Sequence, residues 1–96
     1  MNIEFNDRDL ERLFFDPSYN DGRPEEIVKA FRKRIQFIRQ AVDERAFHAM
    51  KSLHYEKLRR SDQRSMRLND QYRLIMRVKV QNDVRSIIID SIEDYH

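Results

Sequence analysis

The sequence predicts an α+β domain built from a strand, two helices and a four-strand meander. Its first half places apolar residues at the three- and four-residue spacings of helices, whereas residues 53–92 place them at the two-residue spacing of strands. A length of 96 residues, with 40% apolar and 38% charged side chains, suits one small and heavily solvated core. We therefore expect a single domain spanning residues 1–96.

The N-terminal segment predicts a short strand and then a short helix. Residues 2–5 alternate polar and apolar side chains, as a strand does. Asn6 or Asp7 can cap the helix, which should run to about Phe15 and end before Pro17. Three apolar residues are expected to be buried by it: Leu10, Leu13 and Phe14.

A long amphipathic helix is predicted from Pro24 onwards, because proline fits a first helical turn and the two following glutamates favour the helix dipole. Its apolar stripe recurs at helical spacing: Ile27, Phe31, Ile35, Ile38 and Val42. We interpret the stripe as the seam against the sheet, with a partner-binding groove as the alternative. Basic residues occupy the opposite side: Lys29, Arg32, Lys33, Arg34 and Arg39. A short further turn is expected around Phe47.

Residues 53–92 predict the meander. The apolar rows of its two middle strands can share a face only if the connection through Asn69 and Asp70 is odd-numbered or bulged. Residues 84–92 include three consecutive isoleucines, which predict a central strand covered on both faces.

Positive charge is concentrated in the middle of the chain. Residues 27–79 carry fifteen basic and five acidic side chains, against three and eight in residues 1–26 and one and four in residues 80–96. The predicted register also places Arg67 beside Arg73, which is destabilising unless an anion binds there. The distribution indicates a polyanion-binding face, although solvation of a helix and sheet edges explains it equally well.

Several functions are disfavoured by composition. The chain has no cysteine, so thiol chemistry is excluded and a cytoplasmic location is expected. No apolar run approaches the roughly 18 residues that a membrane span needs, and residues 1–15 do not resemble a signal peptide. The three histidines show no ligand spacing and there is a single glycine, so we expect neither a metal, nor a cofactor, nor a glycine-rich phosphate loop.

Side chains suited to acid/base chemistry occur at two places. His54 and Lys57 lie in residues 53–58, which read as a strand, and an aspartate, a tyrosine and a histidine occupy residues 94–96, directly after the last strand. Such groups together make a plausible general acid/base set. His48, on the helical connector, is assigned no role.

With residues 65–74 (SMRLNDQYRL), these groups resemble the HigB toxins of bacterial toxin–antitoxin modules, a branch of the RelE/ParE superfamily. The resemblance covers residues 51–96 in motif and the whole chain in length and element order. The chain departs from the family at Leu58 and Asp62, where glycines are usual. The resemblance implies a RelE-like fold, in which two N-terminal helices pack on one face of a small, twisted, mostly antiparallel sheet and the opposite concave face is basic.

The resemblance also implies a ribosome-dependent endoribonuclease toxin that cuts messenger RNA in the ribosomal A site. Its partners would be the ribosome, mRNA and a HigA-like helix-turn-helix antitoxin. Cleavage by the RNA 2′-hydroxyl needs two proton transfers and stabilisation of the phosphate charge. The catalytic positions by resemblance are His54, Lys57, Asp94, Tyr95 and His96. The residues assigned to RNA or phosphate binding are Arg60, Arg67, Asn69 and Arg73.

Each assignment has a structural alternative. His54 and Lys57 are compatible with a solvated edge strand, Asn69 with a turn, Arg73 with an ion pair and Tyr95 with the core. Two other functions stay open as well. One is a ParE-like toxin that poisons DNA gyrase, although such proteins generally lack the two-histidine and lysine set. The other is a non-catalytic RNA- or ribosome-binding module.

Overall fold

The computed structural model describes residues 1–95 and has the α+β class that the sequence predicts. Its helices are α1 (Arg8–Phe15), α2 (Glu25–Gln40) and α3 (Arg45–Ala49), with a 3₁₀ turn at Lys51–Leu53. Its strands are β1 (Asn2–Phe5), β2 (Glu56–Lys57), β3 (Gln63–Arg67), β4 (Tyr72–Gln81) and β5 (Val84–Asp94). The predicted order of strand, two helices and meander is confirmed, and α3 and the 3₁₀ turn form the predicted connector.

The five strands form one sheet in the order β1-β5-β4-β3-β2. β1 is parallel to β5, and the three other pairings are antiparallel. Between β3 and β4, the N–H of Leu68 donates to the carbonyl of Tyr72 at 2.9 Å, so residues 69–71 form the connection. It is odd-numbered, as predicted, and Met66 therefore lies opposite Leu74 on the apolar face.

The core lies between the helices and one face of the sheet. It contains the predicted helix residues Leu10, Leu13, Phe31, Ile35 and Ile38, all at most 1% exposed. From the sheet it takes alternate residues, which include Met66, Leu74, Met76, Ile87 and Ile89. We call the opposite side of the sheet the outer face; by the register it carries Ser65, Arg67, Arg73, Ile75 and Glu93.

Two predictions about the core are wrong. Val42 is 90% exposed, because α2 ends at Gln40 and Ala41 is already extended, with φ −68° and ψ 141°. Asp43 then begins the next turn by accepting a hydrogen bond from the N–H of Arg45 at 2.9 Å. β5 is central but is not covered on both faces, because Ile88, on the outer face, is only half-buried.

A β-bulge in β5 explains the polar centre of the outer face. Ile75 pairs with Ser91 and Met76 with Ile89, so Asp90 is an extra residue between two aligned pairs. Its carboxylate accepts two hydrogen bonds from Arg77, at 2.7 and 2.8 Å. Asn6 and Gln63 also donate to this carboxylate, each at 3.2 Å. The hydrogen bonds from Arg77 hold the pKa of Asp90 below its ordinary value.

Candidate functional site

Arg67 and Arg73 form the centre of the candidate site. They are register partners, as predicted. Because the next pair, Leu68 and Tyr72, is hydrogen-bonded, the two arginines occupy a non-hydrogen-bonded position, where Cβ atoms are about 4.5–5.5 Å apart. Arg67 also forms an ion pair with Asp70, whose side chain is 95% exposed. An exposed pair of this kind contributes little, so an incoming phosphate can replace Asp70.

Arg73 has unused donor capacity. Its Nη1 atom is buried and has no hydrogen-bond partner among residues 1–95. The guanidinium carbon lies 5.7 Å from the ring centroid of Tyr95, within the range of a cation–π contact. A buried donor without a partner is costly in a folded protein. The predicted alternative of a structural ion pair for Arg73 is not seen in the described part of the chain.

Tyr95 lies at the end of the sheet and is not a core aromatic, since 44% of it is exposed. Its N–H donates to the carbonyl of Gln71 at 2.7 Å, which continues the β4–β5 pairing by one step beyond Asp94 and Tyr72. The alternation of the strand puts Tyr95 on the outer face with Glu93 and Arg73. The ring is therefore available for stacking beside the arginine pair.

Asp94 lies on the other side of β5, opposite Tyr72. Its carboxylate accepts a hydrogen bond from Nε2 of Gln71 at 3.0 Å. Within residues 1–95 its hydrogen-bond partner is thus a glutamine, and a catalytic role for Asp94 stays a prediction. His96, also predicted to be catalytic, lies outside the described residues.

Asn69 is a turn residue in this structure. Its Oδ1 accepts hydrogen bonds from the N–H groups of Gln71 and Tyr72, at 2.9 and 2.7 Å. Its Nδ2 donates to Glu26 of α2 at 3.3 Å. The side chain of an asparagine commonly closes a turn in this way. An additional contact between Asn69 and RNA stays a prediction.

The expectation that His54 lies on a strand is wrong. His54 ends the 3₁₀ turn with a left-handed backbone, φ 49° and ψ 47°, and its N–H donates to the carbonyl of Lys51 at 3.1 Å. Buried Leu53 fixes this turn, and β2 begins only at Glu56. The imidazole is exposed. Because β2 begins opposite Ser65, the chain at His54 approaches the sheet at the end where Arg67 lies.

Lys57 and Arg60 are not brought to the arginine pair. Lys57 pairs with Arg64, which alternates with Ser65 and Arg67 and so lies on the helix side of the sheet. Tyr55, two residues before Lys57, likewise packs on α3, with its ring centroid 5.1 Å from that of Phe47. Arg60 is an exposed residue of the β2–β3 turn with φ 58°, a conformation that glycine adopts more easily. Their catalytic and RNA-binding roles stay predictions.

The predicted catalytic residues fall into two groups, one at the start of β2 and one at the end of β5, and two strands separate these groups. β3 and β4 lie between β2 and β5. Three strand spacings of about 4.8 Å place β2, which begins two residues after His54, about 14 Å from β5. Arg67, Arg73 and Tyr95 thus lie together, whereas His54 approaches the same end of the sheet from its far edge.

Sequence reasoning missed two residues that hold this site. Arg34, assigned to the solvated side of α2, instead donates from Nε to the carbonyl of Arg67 at 2.9 Å. Burial, together with the nearby charge of Arg67, lowers the pKa of Arg34. The sequence signal for this contact was that Arg34 directly precedes Ile35 and so lies at the edge of the apolar stripe. Gln71, which contacts both Asp94 and Tyr95, has no such signal, because turn contacts do not follow a period.

The basic surplus of residues 27–79 is partly neutralised. Among contacts within residues 1–95, five of its fifteen basic side chains form ion pairs, with these partners: Lys29 with Glu25, Arg45 with Asp43, Arg67 with Asp70, Arg77 with Asp90 and Lys79 with Glu4. The predicted polyanion-binding face is accordingly smaller than the charge count suggests. Within residues 1–95, no group of His, Asp and Glu side chains is arranged to hold a metal ion.

Comparisons with known proteins bear on the fold. The chain matches no protein-family model and no curated protein. Among solved structures it is similar to the YoeB/ParE toxin from Agrobacterium tumefaciens, with a TM-score of 0.56 and 12% identity over 100% of both chains. At this identity the similarity shows a shared fold, which agrees with the RelE-like fold implied by the sequence motifs. No described helix has the length and apolar character that a membrane crossing requires.

Proposed function

We propose that this protein is the toxin of a toxin–antitoxin module, of the HigB kind, and that it cuts mRNA in the ribosomal A site without a metal. The observation that carries the proposal is the pairing of Arg67 with Arg73 beside the exposed ring of Tyr95. Two guanidinium groups suit a phosphate, and an aromatic ring suits an unstacked base. The fold shared with a YoeB/ParE toxin supports the same class of protein.

In this proposal the scissile phosphate binds between Arg67 and Arg73. The two guanidinium groups donate to phosphate oxygens, and their positive charges stabilise the extra negative charge that develops on the phosphate. The ring of Tyr95 stacks on a neighbouring base. The exposed Asp70 gives up its contact with Arg67 as the phosphate enters.

Cleavage then requires two proton transfers. One group removes the proton of the 2′-hydroxyl, whose oxygen attacks the phosphate, and another gives a proton to the departing 5′-oxygen. The candidates are the imidazoles of His54 and His96, which exchange protons near neutral pH, and the phenol of Tyr95. Lys57 is proposed to contribute charge, and Asp94 to orient the chain end.

The geometry favours dependence on the ribosome. The arginine pair lies on the outer face of the sheet, away from three cavities of about 380, 450 and 350 Å³ that are lined by residues within 1–46. β2, which begins two residues after His54, lies about 14 Å from β5, so we propose that the sheet alone does not hold an RNA strand in a reactive geometry. The ribosome supplies that positioning in our proposal. We also propose that a HigA-like antitoxin neutralises the protein and that the protein is located in the cytoplasm.

One experiment separates the three candidate functions. Messenger RNA ends are mapped in a translating extract with the wild-type protein, and DNA supercoiling by gyrase is measured in parallel. We expect new mRNA ends that disappear in the double variant Arg67→Ala/Arg73→Ala, but not in Arg8→Ala, which removes an exposed arginine of α1. Loss of supercoiling with intact mRNA would identify a gyrase poison. Ribosome binding without either effect would identify a non-catalytic module.

A further inference from the structure

The end of β5 is held by one residue of the β3–β4 turn. The carbonyl of Gln71 accepts from the N–H of Tyr95 at 2.7 Å, and its Nε2 donates to the Asp94 carboxylate at 3.0 Å. These two contacts fix consecutive residues just where a strand end would otherwise fray. The second is a hydrogen bond to an ionised group, which is stronger than one between neutral groups.

The turn that carries Gln71 is itself anchored. Asn69 closes it by accepting from the N–H groups of Gln71 and Tyr72. α2 holds it twice, through the hydrogen bond from Asn69 to Glu26 and through that from Arg34 to the Arg67 carbonyl. β2 pairs with β3 only as far as Ser65, so β3 extends beyond it at Arg67. The Arg67 carbonyl therefore has no strand beside it and accepts from Arg34 instead. A continuous set of contacts therefore runs from α2 through the turn to Tyr95.

We propose that Gln71 is a positioning residue, which fixes the Tyr95 ring beside Arg73. Its consequence for catalysis rests on the proposed function. Tyr95 and Arg73 are on neighbouring strands, and the 5.7 Å between ring centroid and guanidinium carbon depends on where the end of β5 lies. A neutral donor is suited to this task, because a carboxylate at position 71 would repel Asp94.

The proposal is tested first on the free protein. Hydrogen exchange of the Tyr95 amide and the ¹⁹F signal of 3-fluorotyrosine at position 95 are measured in Gln71→Met, Gln71→Glu and Gln71→Lys. Methionine keeps the length without a donor, glutamate reverses the charge complementarity, and lysine keeps a donor. For Gln71→Met and Gln71→Glu we expect the Tyr95 amide to exchange about tenfold faster and the ¹⁹F signal to shift. This is the size of effect expected when a hydrogen bond to a charged group is lost. Gln71→Lys should resemble the wild type.

Gln81→Met is the matched control, because Gln81 is an exposed glutamine at the end of β4, beside the next turn. It should leave exchange at Tyr95 unchanged. If Gln71→Met also leaves exchange and the ¹⁹F signal unchanged, Gln71 does not position Tyr95 and the inference is overturned, whatever the protein does to RNA.

The second measurement is cleavage on programmed ribosomes. Gln71→Met should lower kcat by about 10- to 100-fold with little change in KM or melting temperature, because a displaced reacting group affects the rate more than docking. A wild-type kcat in a variant with altered exchange would overturn the positioning role. An inactive wild type would instead overturn the proposed function, while the exchange data would still decide whether Gln71 positions Tyr95.

Discussion

Arg73 is the residue on which the candidate site depends most. It combines a buried nitrogen that lacks a hydrogen-bond partner in residues 1–95 with an aromatic neighbour and a second guanidinium across the strand pair. Each feature alone is common at protein surfaces. Together they describe a positively charged side chain beside a second one, and a bound anion would reduce the repulsion between the two arginines.

Arg73→Lys is the residue-scale test. Lysine keeps the charge but loses the planar fork that binds a phosphate through two N–H groups, so we expect mRNA cleavage to fall by about 10²-fold. Arg64→Lys is the control, because Arg64 lies on the helix side of β3. Cleavage by Arg73→Lys at the wild-type rate would show that a point charge is sufficient at this position.

Salt dependence tests the same pair without requiring chemistry. Each phosphate that the protein neutralises on single-stranded RNA contributes about −0.7 to the slope of log affinity against log salt. Replacing Arg67 and Arg73 with alanine should therefore flatten the slope by about 0.7 to 1.4, measured as RNA or ribosome binding between roughly 50 and 200 mM salt. An unchanged slope would place docking on another surface.

The sequence predicted this pair because two-residue alternation fixes which side chains share a face. It did not predict how Asn69 and Gln71 hold the site, since turn contacts depend on the path of the backbone and follow no period. It also placed His54 on a strand, where the structure has a left-handed residue at the end of a 3₁₀ turn. Local backbone reversals of this kind are set by the packing of neighbours such as Leu53.

At the scale of elements, the bulge in β5 determines what the outer face contains. Three consecutive isoleucines predicted a strand buried on both sides, yet the extra residue Asp90 brings a carboxylate to the outer face, where Arg77 and Gln63 donate to it. The sequence does not reveal a bulge, because its alternation is interrupted by one residue only. The predicted bounds of β1 and the end of α1 are confirmed, since capping residues and proline mark them clearly.

Arg77→Met tests the bulge. The Asp90 side chain is only 8% exposed, so removing its main partner leaves a charge in a largely dry position. We expect a loss of about 3 kcal/mol in the free energy of unfolding, measured by urea denaturation. Lys79→Met, which removes the more exposed pair with Glu4, should cost less than about 1 kcal/mol. If the two changes lower the free energy of unfolding equally, the Arg77–Asp90 pair does not stabilise the fold more than the Lys79–Glu4 pair does.

The same pair predicts a pH dependence with a definite sign. The pKa of Asp90 is lowered in the folded protein, so its carboxylate stabilises the fold above the ordinary value of 3.8 and ceases to do so as the pH falls through the lowered value. The stability difference between wild type and Asp90→Asn should therefore be constant from pH 7 to about 5 and shrink below about 4. A difference that grows in acid would contradict the sign.

At the scale of the whole molecule, the candidate site residues are spread over several strands at one end of the sheet. Sheet order β1-β5-β4-β3-β2 puts Tyr95 and His54 on opposite sides of the arginine pair. The sequence predicted the order of β2 to β5, since a meander pairs consecutive strands, but it did not show that β1 pairs with β5 or that Lys57 lies on the helix side. The side on which Lys57 lies depends on where the two-residue strand β2 aligns with β3.

This arrangement leads to the last prediction, that the protein cuts mRNA only while ribosomes translate it. β2, which begins two residues after His54, lies about 14 Å from β5, and the arginine pair is outside the cavities of the molecule, so RNA alone is expected to have many nonproductive ways to bind. Loss of correct orientation can account for several orders of magnitude in rate. We therefore expect cleavage at least about 10³-fold faster on translated mRNA than on the same naked mRNA, measured at equal protein concentration. Comparable rates on naked and translated mRNA would show that the sheet positions RNA by itself.

His54→Ala should remove the ribosome-dependent cleavage while retaining the wild-type melting temperature, because the imidazole is exposed.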